Sequence, residues 1–78
     1  MDTLDNCPEG AKCIIKKLIG QDRNRLAELG LSTGTEIKII NCSLCNGPIV
    51  LEVRGYNLSL RKEEAHDVII TKLDENKN

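Results

Sequence analysis

The side chains best able to do chemistry in this 78-residue chain are four cysteines, at positions 7, 13, 42 and 45. Cys42 and Cys45 sit in "NCSLCNGP", 41–48. Two thiols at C-x-x-C spacing suit either a metal knuckle or a redox pair. A structural zinc takes four tetrahedral ligands, usually from two such knuckles. Cys7 and Cys13 are too far apart in sequence to form the second one. Glu63, Glu64, His66 and Asp67 are possible donors, but nothing in the spacing brings them to Cys42 and Cys45. A weak Zn or Fe site, or one shared between two chains, is the metal reading; no cofactor is required. A thioredoxin-type pair needs its first cysteine at a helix N-terminus, where the thiolate is stabilised. Here the pair lies between two strand-like segments, which argues against redox catalysis.

The bland reading is a loop that carries two free thiols. Asn46-Gly47 is a hairpin signal. A two-residue turn there would make Cys45 and Pro48 a closing pair, and Pro48 has no N–H to give. The loop is therefore expected to be longer than two residues, with metal binding the second choice.

The other candidates are charges and one aromatic. Arg23, Arg25, Arg54 and Arg61 read first as solvated cations. The sharper reading is that one of them reaches a partner's nucleotide, as an arginine finger does. Tyr56 is the sole aromatic residue. Aromatics and Arg are enriched in interfaces, so Arg25, Arg54, Tyr56 and Arg61 are candidate partner contacts. Leu31 fits either the core or a partly exposed contact. His66, among acidic neighbours, reads as a surface residue near a turn.

The elements that must position these residues follow from hydrophobic spacing. In "AKCIIKKL", 11–18, Cys13 and Ile15 share one strand face. Asp22 to Leu29 reads as a short helix with Asp22 as N-cap, Leu26, Leu29 and Ala27 as its inner residues, and Gly30 as its C-terminal glycine. Residues 35–42, 49–54 and 56–61 alternate, placing Ile37, Ile39, Ile49, Leu51, Val53, Leu58 and Leu60 inward. Glu63 to His66 is one helical turn. Residues 68–73 form the last strand, with Val68 and Ile70 the expected core pair. The expectation is mainly β: five short strands with one helix after the first. A sheet this small must curl to bury its inner face, which predicts a small SH3-like barrel over 1–73 and a polar tail at 74–78.

Composition limits what such a domain can do. A chain of this size buries only about 60% of the surface it exposes when unfolded, so the core is thin. Net charge is −1, with 11 basic and 12 acidic side chains. Phosphate neutralisation has little support there, and single-stranded nucleic acid lacks its stacking platforms. No apolar run approaches the ~20 residues that span a bilayer. The acidic start "MDTLDNCPEG" does not read as a signal peptide, so a cytoplasmic domain with reduced cysteines is expected.

"RLAELGLSTGTEI", 25–37, and "GPIVLEVRGYNLSLRKEEA", 47–65, resemble the ferrous iron transport protein A family, FeoA, over nearly the full chain. Leu4, Cys7, Gly10, Cys13, Ile15 and Leu18 fit the family's opening pattern. The resemblance implies an SH3-like barrel in the cytoplasm. It also implies a non-enzymatic accessory or regulatory role toward the membrane ferrous-iron transporter FeoB and its cytoplasmic GTPase domain. Cys7 and Cys13 fall where the family usually carries Leu and a small residue, which implies core filler. Cys42 and Cys45 fall in a variable loop without fixed ligands. No nucleic-acid partner or direct membrane insertion is expected, and an oligomer is possible.

Overall fold

Alternating aliphatic residues in short runs separated by glycines build one curled antiparallel sheet. The computed structural model describes residues 2–42 and 47–73. The strands are β1 (Asp2–Thr3), β2 (Lys12–Leu18), β3 (Glu36–Cys42), β4 (Ile49–Val53), β5 (Tyr56–Leu60) and β6 (Val68–Lys72). A 3-10 turn covers Leu4–Asn6, and the helices are α1 (Arg23–Glu28) and α2 (Lys62–His66). The described residues form a six-stranded sheet in the order β1-β6-β2-β3-β4-β5, with every pairing antiparallel. No helix among them is long and apolar enough to cross a membrane. The expected tail at 74–78 and the thiol of Cys45 lie outside the described residues.

The inner face is the one that alternation predicts. Cys13, Ile15, Ile37, Ile39, Ile49, Leu51, Val53, Leu60, Val68 and Ile70 are all buried. Leu58 is half-buried against this cluster. Register brings inward residues opposite one another, with Cys13 facing Ile37, Ile37 facing Val53, and Ile39 facing Leu51. A simple period of two breaks at two places. β2 carries one extra residue between Ile15 and Lys17, and β3 carries one between Ile39 and Asn41. Such bulges bend a strand and increase its twist, so they let a small sheet curl around its own core. The second bulge also explains why the next inward position after Ile39 is Cys42 rather than Asn41, which is exposed.

Three local expectations differ from the structure. β1 is a sixth strand, pairing Asp2 with Ile70 and Thr3 with Ile69. Two residues are too few to show a period, so only tertiary pairing reveals it. Asp22 occupies the N-cap of α1 but its side chain makes no capping bond. Ala27 is exposed, because a six-residue helix turns too little apolar surface inward to need it.

β4 and β5 join through Arg54-Gly55, closed by the Val53–Tyr56 pair. Both loop residues have positive φ, +50° and +87°. That is the requirement of a type I′ turn, which favours Asn-Gly. A left-handed arginine costs roughly 1–2 kcal/mol in backbone sterics. Arg54→Asn is therefore expected to stabilise the fold by about 1 kcal/mol, and Arg54→Val to destabilise it by at least as much. Urea unfolding midpoints of the two variants check this.

Candidate partner-binding surface

The sequence "ELGL", 28–31, is the pivot of the surface. Leu29 caps α1 and Gly30 follows at φ +107°. The Gly30 N–H donates to the Ala27 carbonyl at 3.0 Å, and the Leu31 N–H to the Leu26 carbonyl at 3.1 Å. This pair of bonds is a Schellman motif, whose usual companion is an apolar contact between the residue after the glycine and the last helical turn. Leu26 and Leu31 supply it, each with 0% exposure. Leu31 therefore belongs to the core: the motif that ends the helix swings its side chain inward, away from any partner.

Tyr56 locks this turn from the sheet side. Its hydroxyl donates to the Leu29 carbonyl, one of the helix-end acceptors that the helix itself leaves unpaired. The same hydroxyl lies 2.6 Å from where a Cβ on Gly30 would stand. Gly30 is thus required twice, once by its backbone angle and once by the tyrosine above it. Tyr56 remains 44% exposed, so its ring is both a clasp and an offered surface.

The arginines attach to the same helix and loop. Arg54 Nη2 donates to Thr35 Oγ1 at 3.3 Å, and Thr35 Oγ1 lies 3.2 Å from Ser32 Oγ. Arg25 on α1 pairs with Glu64 on α2. The other oxygen of Glu64 accepts the Arg61 backbone N–H at 2.9 Å, capping α2. One carboxylate therefore ties two helices together, although a partly exposed pair of this kind adds only about 1 kcal/mol. Arg25 and Tyr56 thus attach to α1 and its C-terminal turn, Arg54 to Thr35 in the loop that follows, and Arg61 to the start of α2 through its backbone N–H. Next to Arg54 the outer face of the sheet holds a groove of about 330 Å³ lined by Lys12, Glu36, Ile37, Lys38, Glu52, Arg54 and Gly55. Its mixed charge suits a polar surface rather than an apolar ligand.

The cysteines divide differently. Cys42 ends β3 opposite Ile49 and is half-buried against the core. The expected loop length at 43–46 lies outside the described residues. Among the described residues no three of His, Cys, Asp or Glu gather in a metal-binding set. His66 is remote from any such role: its Nδ1 lies 3.2 Å from Asp5 Oδ2, joining α2 to the turn after β1. Cys7 and Cys13 are buried as expected, yet their sulfurs touch at 3.5 Å. The hydrogen bond to Cys13 and then burial push the Cys7 thiol well up, so it stays protonated.

A curled antiparallel sheet around an aliphatic core, with a short helix after its first long strand, defines a small SH3-like domain. Within that class the chain belongs to the FeoA domain family, whose model matches residues 3–72. It is 32% identical to a FeoA-like protein from Clostridium acetobutylicum, with a TM-score of 0.85 over 97% of this chain and 91% of that one. It shares its fold with Stenotrophomonas maltophilia FeoA, a prokaryotic SH3 domain protein solved in complex with zinc, at 22% identity and a TM-score of 0.79, over 91% of each chain. A curated relative is the Fe(2+) transport protein A/Fe(2+) transporter FeoB fusion protein of Porphyromonas gingivalis. It is 28% identical over 75 residues, which cover 94% of this chain but only 9% of that protein.

The clasp at Gly30 gives a double-mutant test. Gly30→Ala should cost more than about 1 kcal/mol, because alanine meets both a positive φ and the hydroxyl. Tyr56→Phe should cost about 0.5–1.5 kcal/mol for the lost hydrogen bond. Together they should cost less than the sum of the two, since phenylalanine carries no hydroxyl for the new methyl to strike. Strict additivity in urea unfolding would mean that the hydroxyl does not lie over Gly30.

Proposed function

We propose that this domain is a non-enzymatic regulator of ferrous iron uptake that docks on the cytoplasmic GTPase region of a FeoB-type transporter. The fusion in Porphyromonas gingivalis carries the reading: there a segment similar to this chain and an Fe(2+) transporter are named as one polypeptide. Covalent linkage holds two modules at high effective concentration, which is useful where they must meet. The contact surface in this proposal is the one around α1, built from Arg25, Arg54, Tyr56 and Arg61. Tyr56 supplies a half-exposed aromatic, and Arg25 and Arg54 are tied to the helix and loop that it clasps; such residues dominate binding energy in interfaces. The left-handed Arg54 supports the same reading, because backbone strain collects at functional sites.

The test is a binding titration with the transporter's cytoplasmic domain, nucleotide-free and GTP-bound. Micromolar or tighter binding in at least one state is expected. Arg54→Ala and Arg61→Ala should each weaken it about tenfold while leaving the fold intact, the scale of a moderate interface residue. No binding in either state would overturn the proposal. Binding that both variants leave unchanged would move the contact to another face.

A second reading, a transition-metal module at Cys42 and Cys45, has narrower support. The described residues supply one half-buried thiol, Cys42, and a neighbour of the same fold was solved with zinc. It predicts stoichiometric Zn(II) or Fe(II) binding in anaerobic titration that vanishes in a Cys42→Ser, Cys45→Ser variant. Equal binding by that variant would end it.

A further inference from the structure

We propose that Cys7 and Cys13 form a redox-responsive dithiol that hydrogen peroxide closes into a disulfide, stapling the N-terminal turn to β2. Two observations carry this. The sulfurs are 3.5 Å apart inside the core, where Cys7 is 3% and Cys13 0% exposed. A disulfide needs about 2.05 Å, so each sulfur has well under 1 Å to travel. The second observation is that the cover over the pair is thin. It consists of the two-residue strand β1, the turn Leu4–Asn6 and the loop that runs through Pro8 to Gly10.

Among the described residues, few hydrogen bonds tie that cover to the rest of the domain. β1 contributes two residue pairs to β6. The Gly10 N–H donates to the Ile39 carbonyl at 2.8 Å, and the Ala11 N–H to the Pro8 carbonyl at 3.1 Å. The Asp5–His66 contact lies outside, with the histidine two-thirds exposed. Leu4 is the one aliphatic side chain of the turn in the core. Segments held this way open locally at much lower free energy than the whole domain. Opening admits peroxide to Cys13 without unfolding the sheet.

The chemistry balances with one peroxide. Cys13 is the better first nucleophile, since the Cys7 S–H can donate to its sulfur and Lys72, opposite it on β6, adds positive charge. The Cys13 thiolate attacks one peroxide oxygen, the O–O bond breaks, and the departing hydroxide takes up a proton to leave as water. Cys13 is then a sulfenic acid. As the turn closes, the Cys7 sulfur attacks the Cys13 sulfur. The S–O bond breaks, the Cys7 proton leaves with the hydroxyl as a second water, and the S–S bond forms. Two thiols lose two electrons and two protons, and peroxide is reduced to two waters. Two aliphatic side chains would fill the same space without this reactivity. The disulfide would lock the cover in its closed position.

The experiment uses the full chain with Cys42→Ser and Cys45→Ser, leaving the buried pair as its only thiols. The folded protein is treated with hydrogen peroxide, quenched, denatured and alkylated with iodoacetamide. Expected is a product about two mass units lighter, closed to alkylation and restored by dithiothreitol. Trypsin cleaves after Lys12, so the Cys7 and Cys13 peptides should stay joined until reduction. Amide exchange in residues 4–11 should slow about tenfold in the oxidised form, because opening now requires the staple to stretch. Two free thiols after treatment would overturn the proposal. So would separate sulfinic or sulfonic products, or a disulfide between two chains. If the double-serine variant fails to fold, peptide mapping of the oxidised unsubstituted chain gives the same decision, since a Cys7–Cys13 linkage is distinguishable from one involving Cys42 or Cys45.

Discussion

The surface of this domain depends on how α1 ends. A six-residue helix cannot hold itself together in water, because nucleation costs more than so few internal bonds return. It persists here because its C-terminal turn is fixed from two sides. From inside, Leu26 and Leu31 bury the two apolar positions that the Schellman motif brings together. From outside, Tyr56 takes up the Leu29 carbonyl. Without Gly30 neither arrangement is possible, since the backbone would not turn and the tyrosine would have no room. Once the turn is fixed, Arg25 can reach Glu64 and the chain enters β3 with Thr35 in reach of Arg54.

Most of the sheet was legible in the sequence because strands of this kind bury one face only. In "EIKII" and "IVLEV" the alternation marks the inner face, and the structure buries Ile37, Ile39, Ile49, Leu51 and Val53 as that pattern requires. The helix was legible from Leu26 and Gly30. What escaped was of two kinds. β1 has two residues and exists only through its pairing with β6, so no local pattern could announce it. The clasp between Tyr56 and Leu29 joins positions 27 residues apart, and spacing says nothing about such contacts. The burial of Leu31 was readable in principle. A leucine four residues before the glycine and another directly after it is the Schellman signature at a helix end, and the residue after the glycine goes inward.

The cysteines show how little spacing alone decides. The pair with suggestive spacing, Cys42 and Cys45, begins at a strand end where Cys42 packs against the core edge. The pair without it, Cys7 and Cys13, is the one whose sulfurs touch. The reason is topological. β2 runs beside β6, and β1 pairs with the other edge of β6. The turn after β1 must therefore cross the end of the barrel and lay residue 7 over residue 13. Sequence distance along that path is short, but the chain returns through the core rather than around it.

Arg54 poses the remaining physical question, and its answer joins fold to function. A two-residue turn between β4 and β5 requires positive φ at both positions, and glycine meets this easily at position 55. At position 54 asparagine would meet it at lower cost. Arginine is the more strained choice, and local structure gives little back for it. Its guanidinium has five N–H donors, yet the bond to Thr35 is a single one at 3.3 Å between neutral and charged groups near the surface. A domain with so thin a core has a stability margin of only a few kcal/mol, so about 1 kcal/mol spent on one side chain is not negligible. Fold stability alone therefore gives no reason for this residue. In the docking proposal the reason is what a planar cation can do at the tip of a hairpin, two residues from an exposed tyrosine.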